Sequence, residues 1–96
     1  MSVIMEFAIF PIDKGEHVSQ YVRKVVEMID GLPYNSQLTP MGTIVECDTM
    51  EECLAVISKA NTILEQDAGR IYCTATFDNK PGKKNQMEYK MKAVRD

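Results

Sequence analysis

The chain has no tryptophan, a single histidine and an odd number of cysteines, and each shortage removes a class of function. One histidine, His17, gives no second imidazole for a metal centre, and no Ser-His-Asp set is recognisable. His17 is expected as a surface residue at a helix start. Cys47, Cys53 and Cys73 match no zinc spacing, and there is no CxxC. They are expected as three buried, apolar thiols in a reducing compartment. No glycine-rich phosphate loop is present. No apolar run approaches the ~20 residues of a membrane-spanning helix, and no leader precedes the first strand, so a soluble, cytoplasmic protein is expected. Positive charge is not in excess either. A net charge of −3 argues against binding of a nucleic-acid backbone.

What remains is an ordinary globular composition. Ninety-six residues suffice for one domain, 1–96, with a modest core that association would help to stabilise. Seven methionines make that core adaptable.

The centre of the chain carries its sharpest local signal, Leu38-Thr39-Pro40-Met41-Gly42-Thr43-Ile44-Val45-Glu46. Proline second and glycine fourth in Thr39–Gly42 suit a tight turn of type I, and Thr-Ile-Val behind it favours a strand. This reads as a hairpin flanked by two helical patterns. Before it, residues 2–12 form a nearly continuous apolar strand, the kind covered on both faces. Val18, Tyr21, Val22, Val25, Val26 and Ile29 then recur at helical spacing over roughly 17–30, with Gly31 and Pro33 ending the helix. Residues 34–39 make a weak edge strand, and 42–47 the third strand.

Thr49-x-x-Glu52 is a capping box opening the second helix, whose inward stripe is read as Met50, Cys53, Leu54, Ile57, Ala60, Asn61 and Leu64. Residues 70–78 alternate apolar and polar as a half-covered strand, and a last helix spans roughly 86–95. The order βαββαβ plus a C-terminal helix is the split βαβ arrangement of an α+β, ferredoxin-like fold, with an antiparallel sheet and two helices on one face.

That fold assigns faces. Val3, Met5, Phe7 and Ile9 meet the helices. Ile4, Glu6, Ala8, Phe10, Ile44, Glu46, Tyr72, Thr74 and Thr76 share the open face. An apolar patch of this size meets another surface. Either a second copy covers it, making a homo-oligomer, or the C-terminal helix of the same chain does. Glu6 lies in the most apolar segment and is expected to need a cation, hydroxyls or a ligand to satisfy it; the alternative is a solvated carboxylate. Glu46 on the same face could join it as an acceptor for a ligand rich in N–H or positive charge. Ser19, Thr43 and Asn61 could instead line a polar cavity between helices and sheet, the alternatives being local capping for Ser19 and a structural hydrogen bond for Asn61. Lys80, Lys83 and Lys84 make a basic turn. The strand Thr43–Cys47 lacks the aromatic and basic signature that RNA recognition on this fold requires.

Taken together, Glu6–Pro11, Val18–Val22, Tyr34, the run Leu38–Thr43 with Glu46, and the fourth strand with Asp78 resemble the small thiamine-binding protein family over nearly the whole chain. The resemblance implies a ferredoxin-like fold, a dimer of dimers, and binding of thiamine or its hydroxymethylpyrimidine part, with no catalysis, cofactor or metal. It points to Glu6, Ser19, Tyr34, Thr39, Thr43 and Glu46 as ligand-binding residues, beside Asn61 from the reading above. The chain departs from the family pattern at His17, at Asn61 and at Lys80–Lys83. The expected function is transport, storage or sensing of that ligand. The competing readings are an enzyme using Glu6 and Glu46 as an acid–base pair, and a ligand-free regulatory oligomer.

Overall fold

From Val3 onward burial alternates along the first strand, β1 (Ser2–Pro11): Val3, Met5, Phe7 and Ile9 are buried, while Glu6 is exposed and Ile4, Ala8 and Phe10 are partly covered. The computed structural model describes all 96 residues. After β1 come α1 (Ser19–Asp30), β2 (Asn35–Thr39), β3 (Gly42–Cys47), α2 (Met50–Glu65), β4 (Ile71–Lys80) and α3 (Gln86–Arg95). The four strands form one antiparallel sheet in the order β2-β3-β1-β4, so the most apolar strand is central. This is the ferredoxin-like α+β fold with a helix appended. No helix is long and apolar enough to cross a membrane.

One core lies between the sheet and α1 and α2. Val25 and Ile29 of α1 meet Cys53, Val56, Ala60 and Leu64 of α2 over Met5, Val45 and Cys47. Burying a side chain the size of Ile29 or Leu64 contributes about 1.5–3 kcal/mol. The face of α2 differs from the reading above. Val56 is buried and Leu54 is half exposed, because the stripe runs through positions 53, 56, 60 and 64. Asn61 therefore sits at the flank of the helix, where its amide donates to the Glu65 carboxylate one turn on. The capping box is present: Glu52 N–H donates to Thr49 Oγ1 at 3.1 Å, and Thr49 N–H donates to Glu52 Oε1 at 2.9 Å.

β4 is an edge strand. Ile71 and Ala75 pack on the core, but Cys73 is exposed, which corrects the expectation of three buried thiols. Cys47 and Cys53 are buried and unbridged.

Candidate functional site

The hairpin between β2 and β3 closes over Thr39–Gly42. The Thr39 hydroxyl fixes it, donating to the Gly42 carbonyl at 2.8 Å and accepting from the Met41 amide at 3.2 Å. Gly42 has φ +153°, and a Cβ there would lie 2.6 Å from the Phe7 carbonyl oxygen. Only glycine lets the hairpin approach β1 this closely.

Beyond that contact the strands part. β3 pairs with β1 from Cys47↔Val3 as far as Thr43↔Phe7, while β1 runs on to Pro11 along β4. The projecting half of β1, the hairpin tip and the first turns of α1 enclose a cavity of about 240 Å3. Its walls are mainly apolar: Phe7, Ile9 and Phe10 from β1, Val18, Val22 and Val25 from the helical side, Leu38, Pro40 and Met41 from the hairpin. Thr39 and Thr43 supply its hydroxyls, and no charged side chain lines it. Val18, Val22 and Val25 reach it because they share one helical stripe; Thr43 reaches it because it is the first inward-facing residue of β3.

The residues singled out from the sequence fall into five places. Thr39 and Thr43 line the cavity. Ser19 stands at its rim, in an adjoining depression with Arg23 and Val26 that shares Val22 and Leu38 with the cavity wall. Asn61 lies elsewhere, on α2, so the set Ser19, Thr43 and Asn61 is not brought together. Tyr34 and Glu46 border a polar cleft of about 400 Å3 at the opposite end of the hairpin, with Asp48, Glu52 and Lys84. Glu6 is exposed on the open face between Ile44 and Thr76 and borders neither space. The chain does not itself cover this acid. The cavity-lining residues Val18 and Val22 were not identified as a site from the sequence; their signal was that of helix core.

Glu46 has a structural occupation. Its carboxylate accepts from the Ser2 hydroxyl, from the Gln86 amide at 2.7 Å and from the Met87 amide at 3.1 Å. It thus caps α3, whose first turn it pins to the open face, where anionic acceptors suit a helix start. Burial pushes the Glu46 carboxyl up, but the three donors outweigh it and hold the group below its ordinary range. Tyr34 donates to Glu52 at 3.2 Å, and burial, then the neighbouring carboxylate, raises its hydroxyl above the usual range. The expected Glu6–Glu46 acceptor pair is therefore divided: one partner is solvated, the other holds a helix.

The same anchoring resolves part of the coverage question. α3 takes one end of the open face, with Lys90 paired to Asp78 and Lys80 over the Tyr89 ring. Phe10 stacks obliquely on Tyr72 at 5.8 Å at the other end, where Tyr72 stays half exposed.

These elements define a class: a ferredoxin-like domain with an apolar, ring-sized cavity beside its central hairpin. The chain belongs to the thiamine-binding protein family, whose model matches residues 5–95. The UPF0045 protein MJ1052 of Methanocaldococcus jannaschii is 32% identical over 92 residues, covering 96% of this chain and 91% of that one. Its crystal structure, at 30% identity, matches with a TM-score of 0.87 over 98% of this chain and 96% of the other. The UPF0045 protein Mb1933 of Mycobacterium bovis is 31% identical over 96 residues, 98% of this chain and 92% of that protein. TM0486 of Thermotoga maritima, a protein with a proposed part in thiamine biosynthesis or salvage, shares the fold at 22% identity, with a TM-score of 0.81 over 97% of this chain and 99% of that one.

Proposed function

We propose that the protein binds thiamine or its hydroxymethylpyrimidine moiety, without transforming it, in the cavity between α1 and the β2–β3 hairpin, and serves as a cytoplasmic carrier, store or sensor of that ligand. The observation that carries this reading is the cavity itself: apolar walls able to stack on a flat ring, with the Thr39 and Thr43 hydroxyls placed to orient it. Family membership supports the ligand class. The occupation of Glu46 speaks against the acid–base alternative, since a carboxylate held by the Ser2 hydroxyl and the Gln86 and Met87 amides is not free to exchange a proton with a substrate. Titration of the purified protein with thiamine and with the pyrimidine by calorimetry tests it. Saturable heat with either is expected; no heat with both at millimolar concentration removes the reading.

We further propose a homo-oligomer, a dimer of dimers. The uncovered part of the open face, with Ala8, Phe10, Ile44 and Tyr72, supports association with a second copy.

A further inference from the structure

The peptide groups of β1 alternate between its two neighbours. The Ile12 amide donates to the Arg70 carbonyl on the β4 side at 3.0 Å, so the even-numbered residues of β1 face β4 and the odd-numbered ones face β3. The Phe7 carbonyl lies against Gly42, as this alternation requires. Two residues on, Ile9 turns its N–H and C=O the same way, but β3 has already ended at the hairpin and no strand residue lies opposite. None of the turn and loop backbone bonds involves Ile9, and Met41, its nearest counterpart across the gap, gives its own N–H to Thr39. Ile9 is only 5% exposed and lines the cavity. A largely buried peptide edge without a protein partner is costly unless water or a ligand satisfies it, and here it borders the apolar cavity beside the hairpin tip.

We propose that this free peptide edge of Ile9 is the recognition element of the cavity, and that it selects a single neutral ring carrying an adjacent donor and acceptor, the hydroxymethylpyrimidine, over the cationic, two-ring thiamine. This rests on the functional reading above. The amide donates to a ring nitrogen while the carbonyl accepts from the neighbouring exocyclic amine, the pairing a strand would otherwise supply. Size agrees: about 240 Å3 is below the roughly 300–1,000 Å3 of pockets for larger ligands. Charge agrees as well. No carboxylate lines the cavity to offset a thiazolium, and the charged side chain in the adjoining depression is Arg23, itself a cation.

The test is a pair of titrations of the isotope-labelled full chain, one with 4-amino-5-hydroxymethyl-2-methylpyrimidine and one with thiamine, following affinity and the Ile9 amide resonance together. The pyrimidine is expected to bind about tenfold more tightly or better, and to move the Ile9 amide. Equal or tighter binding of thiamine overturns the selectivity and leaves the functional reading standing. Pyrimidine binding with the Ile9 amide unmoved overturns the recognition element, again without touching that reading. Failure of both compounds to bind overturns the two together.

Discussion

Single side chains in this protein hold more than their own positions. Replacing Gly42 by alanine sets a Cβ 2.6 Å from the Phe7 carbonyl, so the hairpin must shift away from β1. Destabilisation of about 1–3 kcal/mol is expected from chemical denaturation, together with weaker ligand binding because the cavity wall moves. Thr43→Val keeps shape and removes a hydroxyl; it should leave stability nearly unchanged and weaken ligand binding by about 0.5–1.5 kcal/mol in calorimetry. Glu46 makes a pH-dependent contribution. Its carboxyl is held below the usual carboxylate range, so the stabilisation is present above that range and is lost as the pH falls through the lower, folded value. Glu46→Gln should cost about 1 kcal/mol at neutral pH and flatten the acid limb of the stability profile, as urea titrations at a series of pH values would show. Cys73 is the exposed thiol, and a neutral alkylating reagent should label it well before Cys47 and Cys53, read by intact mass.

At the scale of elements, the least secured piece is α3. Its first turn is buried at Gln86 and Met87 and capped by Glu46, but Tyr89, Met91 and Val94 are exposed. Its amides beyond the first turn should exchange with solvent far faster than those of β1 at Met5 or Phe7, and uniform protection across both would contradict this account. The elements themselves were legible in the sequence because local chemistry specified them: the Thr49–Glu52 capping box, the apolar run of β1, the Pro40–Gly42 turn. The orientation of α2 was not. Leu54 and Val56 are equally apolar, and which one is buried depends on how α2 sits over β1 and β3. Cys73 likewise has strand character, and its exposure follows only from the position of β4 at the sheet edge. For the site, Thr39 and Thr43 could be read from the turn, but the cavity arises where β1 outruns β3. That depends on the register Phe7↔Thr43, which no local pattern encodes.

The whole molecule presents two different surfaces. The helix side carries the core and the cavity. The open face carries α3 at one end and an uncovered stretch with Glu6, Phe10, Ile44 and Tyr72. If that stretch is where copies meet, light scattering will report a mass near four times the 10.9 kDa of one chain, and a charged substitution such as Tyr72→Glu will lower it without emptying the cavity. The helix-side location of the ligand is the claim on which the functional account turns, and amide chemical-shift mapping with saturating ligand tests it most directly. Shifts concentrated at Val22, Met41 and Thr43, with Glu6, Thr74 and Thr76 still, are the predicted result. Shifts concentrated at Glu6, Thr74 and Thr76 would place the ligand on the open face and contradict it.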